Sequence, residues 1–315
     1  MWGNRLGWTI SAGIALAAIA ILLLIATSSS RTPPTAFSKD ERNFGTLAVP
    51  QPPAISQTSS SSGGGSYRGA ISAYLGNRAL YEDFATMGTL KSPKVQQLAA
   101  IDQIVNASPQ SELFAKHPGE VIGYQNSKPA IEALSVLGRV MIDRLALLNQ
   151  REGKTDEARK YALAGAALGE ALSRERLCWD EFALGQELLS KSAAILGKGD
   201  DGAMWKTFDE QRSQFFNEQI DPMVRIIRSI DPKTVGTHTG DVFQLAKRSQ
   251  ERMWRVEAIL ALGRVRFFTG TSRSAADQRA ALAAVKKIAD EDPDPVIRAA
   301  AEAARDLTAE QYRMQ

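Results

Sequence analysis

Residues 155–197 read TDEARKYALAGAALGEALSRERLCWDEFALGQELLSKSAAILG. Thr155 is a suitable helix N-cap, and Asp156 and Glu157 complement the positive end of a helix dipole. One helical run extends from there to Ser173. A second, from Glu175 to Gly197, follows almost without a break. So short a connection between two long helices implies an antiparallel hairpin. The turn GKGDDG at 197–202 closes it.

Working outward, the same periodicity persists. The spacing predicts a helix from Lys128 to Gly153 on the amino-terminal side. Before it, SPKVQQLAAIDQIVNA opens with Ser92 as N-cap and Pro93 at the first helical position. Earlier still, Ile71, Leu75, Ala79, Leu80 and Phe84 recur at helical spacing and form the expected apolar face. Downstream, helices are expected over 203–219 and 222–229, followed by a loop at 231–241. No segment alternates with the period of two that a sheet requires. The folded part is therefore expected to be all-α, with one helical domain over 67–235 and another over 236–315.

Composition narrows the function classes. The 315 residues are 44% hydrophobic and 23% charged, a normal globular mixture. A net charge of +3 leaves no nucleic-acid footprint. One cysteine, Cys178, forbids an internal disulfide, and two histidines, His117 and His238, are too few for a Cys/His zinc site. Nucleophile and metalloprotease motifs are absent. Cys178 has Arg174 and Arg176 nearby, which could lower a thiol pKa. Without a histidine partner it reads as a packed structural cysteine. Asp200, Asp201 and the acids of 290–294 read as turn residues bonding locally. No residue is assigned a catalytic, cofactor-binding or metal role, and an enzyme built on Asp and Glu side chains stays as an alternative.

The amino terminus sets the location. Residues 6–27 carry no charge over 22 positions, roughly 33 Å of helix, enough to cross a hydrocarbon core of ~30 Å. A single-pass membrane anchor over 1–27 is the expectation, with the folded part outside the cytoplasm, in the periplasm if the host is bacterial. A cleaved signal peptide is the competing reading, although its apolar region usually runs only ~7–15 residues. Gly7, Ser11 and Ala15 recur every four residues, a face on which two such helices can approach to form a homodimer. Residues 28–66 are rich in Ser, Thr, Pro and Gly and are expected to be a disordered tether. Its NFGTLAV stretch is a candidate transient strand or docking segment.

The carboxy-terminal DPDPVIRAAAEAARDL, Asp292–Leu307, resembles the first helix of a HEAT repeat. The likeness lies in the Asp/Pro turn, the pair Ile297–Arg298, and small residues at Ala299, Ala300, Ala303 and Ala304. WRVEAILALGRV at 254–265 aligns with it at an offset of 41 residues, Val256 on Ile297 and Leu262 on Ala303, within the HEAT period of ~40–47. In that earlier copy Glu257 stands where the arginine belongs. The resemblance spans 250–308. A fainter one, to a tetratricopeptide hairpin, covers 137–172 through Gly153, Ala158, Ala162 and Gly165. Both imply stacked helix pairs that bind other proteins.

One surface feature fits such a role. On one continuous helix, Arg248, Arg252, Arg255 and Arg266 would fall within about 60° of each other at ~100° per residue. This basic stripe is the expected partner-binding surface. The expected function is a membrane-anchored, non-enzymatic scaffold with a protein partner, and a lipid- or polymer-binding helical domain is a further alternative.

Overall fold

The computed structural model describes residues 46–54, 65–81, 95–107, 113, 124–228, 239–265 and 274–307. The expected anchor, with Gly7, Ser11 and Ala15, lies outside the described residues, as do Arg266 and both histidines. No helix among the described residues is long and apolar enough to cross a membrane.

The described chain is mostly helical, with no strand. In order the helices are α1 (Tyr67–Gly76), α2 (Val95–Val105), α3 (Tyr124–Arg139), α4 (Leu147–Arg151), α5 (Thr155–Glu175), α6 (Trp179–Leu196), α7 (Gly202–Phe215), α8 (Asp221–Arg228), α9 (Thr239–Arg248), α10 (Arg252–Val265), α11 (Ser274–Glu291) and α12 (Pro295–Asp306). Two π-helical segments, Val140–Ala146 and Phe216–Ile220, carry α3 into α4 and α7 into α8 without a break. The gap expected between 219 and 222 is therefore absent. The described residues belong to one compact unit that includes helices on both sides of position 235.

Helix ends follow local chemistry. Gly153 has φ +74° and closes α4. Its N–H donates to the Gln150 carbonyl, and the Lys154 N–H donates to the Asn149 carbonyl, the paired bonds of a Schellman motif. That motif makes Lys154, not Thr155, the N-cap of α5, and no side chain caps it. α3 begins at Tyr124, four residues before the expected Lys128, and tolerates Pro129 in its second turn.

The core is built on small residues that let helices touch. A Cβ on Gly169 of α5 would sit 2.7 Å from the Gly185 carbonyl oxygen of α6, and a Cβ on Gly185 would sit 2.7 Å from that of Gly169. The expected hairpin is thus a backbone-to-backbone crossing. At Gly165 the missing Cβ instead makes room for the Ile142 side chain of the π segment. In α1 the buried face is Tyr67, Ala70 and Tyr74, while Leu75 is exposed. Of the expected face Ile71 is half-buried and Leu75 exposed, while the two tyrosines bury more area. Tyr74 packs on Tyr81 with ring centroids 5.7 Å apart.

At the carboxy-terminal end, α10 and α12 lie parallel. Arg252 at the start of α10 reaches Asp294 at the start of α12, and Gly263 near the end of α10 meets Ala304 near the end of α12. Gly263 and Ala304 are separated by the same 41 residues as the sequence alignment. α11 packs against both helices. Arg298 donates to the carbonyls of Asp292 (2.6 Å) and Pro293 (3.2 Å), so it holds the Asp/Pro turn from which its own helix departs. Asp294 caps that helix by accepting from the Val296 N–H at 2.9 Å.

Candidate functional site

Three turns between helices converge on one open polar cleft of about 530 Å³. The end of α5 supplies Arg174 and Glu175, and the turn that follows it supplies Arg176. The turn from α9 to α10 supplies Ser249, Gln250 and Glu251, and α10 adds Arg252 and Arg255. Asp294 comes from the turn before α12, and Thr46 closes one side.

The expected continuous basic helix does not exist. The chain breaks between Arg248 and Arg252, where the Ser249 hydroxyl accepts from the Glu251 N–H at 3.1 Å. Arg255 spans the break by donating Nε to the Ala246 carbonyl at 3.1 Å, which satisfies the carboxy-terminal end of α9. Of the four expected arginines, Arg252 and Arg255 line the cleft. Arg248 is exposed on the last residue of α9 and does not line it. Arg174 and Arg176, read in the sequence only as neighbours of Cys178, are the ones that join them. Nothing in sequence spacing brings residues 174 and 252 together.

The cleft arginines are paired with carboxylates. Arg176 Nε donates to Glu251 at 3.0 Å, and Arg252 Nε donates to Asp294 at 2.9 Å. Arg255 pairs with Asp292, and Arg174 lies 3.8 Å from Glu170. The surface is therefore one of alternating charge rather than a basic stripe. Arg176 sits in the left-handed region, φ 31°, where a side chain is disfavoured. Its ion pair and its bonds to the carbonyls of Ser173 and Arg174 hold it there.

Carboxylates also bind free backbone N–H groups around this turn. Glu251, only 4% exposed in its side chain, accepts from Arg176 with one oxygen and from the Leu47 N–H (3.1 Å) with the other. Glu175 accepts from the Leu113 N–H. At the start of α6, Glu181 reaches back to the Leu177 N–H at 2.7 Å, and Glu257 of α10 accepts from the Trp179 N–H at 3.0 Å. These two acids satisfy donors that a helix start leaves open. The glutamate that breaks the HEAT-like pattern at 257 thus serves α6 instead. Burial pushes the Glu181 carboxyl up to about 8 and raises that of Glu257.

The remaining sequence candidates resolve into structure. Cys178 is the N-cap residue of α6, and burial, reinforced by Glu181, raises its thiol pKa. Arg176, the neighbour that could have lowered it, is committed to Glu251. Asp201 takes both ends of the Arg159 guanidinium at 2.7 Å, which holds its carboxyl down to about 2. Asp292 and Asp294 serve Arg255 and Arg252. Among the described residues no group of three or more His, Cys, Asp or Glu side chains could hold a metal ion.

Part of the expected tether is ordered against this region. Residues 46–54 have no regular secondary structure, bend at Pro53, and run from the cleft onto α5 and α6, with Val49, Pro50 and Pro52 facing Glu170, Ser173 and Leu189. Of NFGTLAV only its 46–49 portion is described; it forms no strand, and the prolines that follow it lie along the same helices. No protein-family description, curated protein or solved structure matches this chain, so the geometry of the cleft and its bound segment stands by itself.

Proposed function

We propose that this chain is a membrane-tethered helical scaffold that binds another protein outside the cytoplasm. The observation that carries the proposal is the convergence of three helix–helix turns on one open cleft of alternating guanidinium and carboxylate groups. Stacked helix pairs with aligned turns present extended surfaces to macromolecules. The parallel packing of α10 on α12 at the 41-residue offset supports a repeat-like arrangement for the end of the chain. Paired surface charges of this kind favour specificity and encounter rate over raw affinity. Residues 6–27 supply the membrane anchor, and Gly7, Ser11 and Ala15 the face for its self-association.

The test is a photo-crosslinking residue at Gln250, exposed on the cleft, in the full chain expressed in its host. Met204, exposed on α7, serves as the control position. A discrete protein adduct at 250 that is absent at 204 and weakened by Arg252→Ala is the expected result. Recovery from membranes without any protein adduct at 250 would overturn the scaffold reading. Recovery only in the soluble fraction would overturn the anchor.

A further inference from the structure

Residues 46–54, TLAVPQPPA, lie on the helical body as a ligand would. Leu47, Val49, Pro50, Pro52 and Pro53 are half-buried, while Ala48, Gln51 and Ala54 are exposed. Ala48 and Gln51 face solvent three residues apart, the repeat of a polyproline II helix, before the chain bends at Pro53. Three of the nine residues are prolines and bring no N–H to satisfy. The segment therefore needs little hydrogen bonding to lie on a helical surface. One bond fixes its start, from the Leu47 N–H to the buried Glu251 carboxylate. Its middle lies over Leu189 and Ser173, with the Glu170–Arg174 pair alongside. A gap of only about 60 Å³ remains between segment and helices.

From this we propose that the face of α5 and α6 beneath residues 46–54 is a recognition groove for extended, proline-containing segments of a partner protein, which the chain's own segment occupies until a partner displaces it. The proposal rests on the scaffold reading and names its site and partner chemistry. Such a segment carries an aliphatic residue before Pro-x-Pro and a free backbone N–H two residues earlier, as Leu47 precedes Val49-Pro50-Gln51-Pro52. Preformed polyproline segments lose little conformational entropy on binding, which suits recognition by displacement. The resident segment is joined covalently to α1, so its effective concentration is of order mM. Only a partner segment presented at high local concentration, or with additional contacts in the adjoining cleft, displaces it. Glu251 couples the two surfaces, because it binds Leu47 on one side and Arg176 on the other.

The test uses the full chain in detergent and a fluorescein-labelled peptide, TLAVPQPPA, as probe. In the double variant Val49→Asp/Pro52→Asp the resident segment carries two charges against Leu189 and leaves the groove. This variant is expected to bind the probe at least tenfold more tightly than the wild type. Adding Leu189→Asp is expected to abolish the gain. A second form has a protease site inserted between residues 57 and 58, which leaves every groove contact in place. Cleavage makes the native segment exchangeable, and probe binding is expected only after it. Equal binding before and after cleavage, or none after it while circular dichroism stays helical, would overturn the groove. A concentration-dependent wild-type dimer that exchanges residues 46–54 would overturn the partner assignment in favour of a second copy. A protein adduct at Gln250 together with no probe binding would leave the scaffold standing and the groove refuted.

Discussion

Glu181 has no solvent exposure, and only one of its carboxyl oxygens has a partner. Burying such a group costs its charged form most. Its folded-state pKa is pushed up to about 8, well above the ordinary glutamate value. The folded chain therefore holds a proton that the unfolded chain has released by neutral pH. Stability from this group is complete below the unfolded pKa and is lost as the pH rises toward 8. Glu257 is shifted in the same direction and adds to the slope. Urea denaturation at pH 5 and pH 8 should find the wild type less stable at pH 8, with the difference reduced in Glu181→Gln. An unchanged slope in that variant would locate the titration elsewhere. The sequence placed Glu181 inside a helical run from Glu175, and neither its position in the first turn of α6 nor its depth was legible. Depth depends on α10, whose Glu257 and Trp254 approach the start of α6 from more than seventy residues away, with Trp254 stacked on Trp179 at 6.0 Å.

At the scale of elements, the fold turns on where glycine permits contact. Gly169 and Gly76 look alike in the sequence, each a glycine within a helical run. A Cβ on Gly169 meets the backbone of α6, whereas a Cβ on Gly76 meets nothing within 4 Å. Gly169→Ala must push α5 from α6 and is expected to cost about 1–3 kcal/mol. Gly76→Ala should be neutral or gain up to about 1 kcal/mol by limiting the unfolded chain. Thermal melts of the two variants check this, and equal melting temperatures would contradict the crossing. The small-residue face at Ala162 and Gly165 was legible as a pattern. That Gly165 would meet Ile142 and Ser192 was not, because periodicity identifies a face and not its partner. The arginine stripe failed for a related reason. Helical spacing from 248 to 266 presumes an unbroken helix, and the Ser249–Glu251 turn interrupts it.

At the scale of the molecule, the two regions that the sequence separated near 235 are tied by Arg176–Glu251 and by Glu257 at the start of α6. α10 also packs against α8 and α6. Unfolding should therefore be one cooperative event despite the size of the unit. Calorimetry of the full chain is expected to resolve a single transition for the helical body. Gly169→Val on one side and Gly263→Val on the other should both lower it, the latter because its side chain would enter the Ala304 backbone. Two separable transitions, each moved by one variant, would restore the boundary.

The sequence by itself determined the helical class, the long hairpin of 155–197, the 41-residue spacing of the last helices and the uncharged amino-terminal run. These depend on composition and local periodicity, which neighbouring residues carry together. Tertiary structure alone decided that Arg174 and Arg176 share a cleft with Arg252 and Arg255, that Glu251 and Glu257 satisfy backbone donors far along the chain, and that residues 46–54 lie on α5 and α6. The physical reason is that a buried carboxylate takes whichever N–H the packing brings within about 3 Å. That proximity is set by how the helices cross, and no spacing within one helix encodes it.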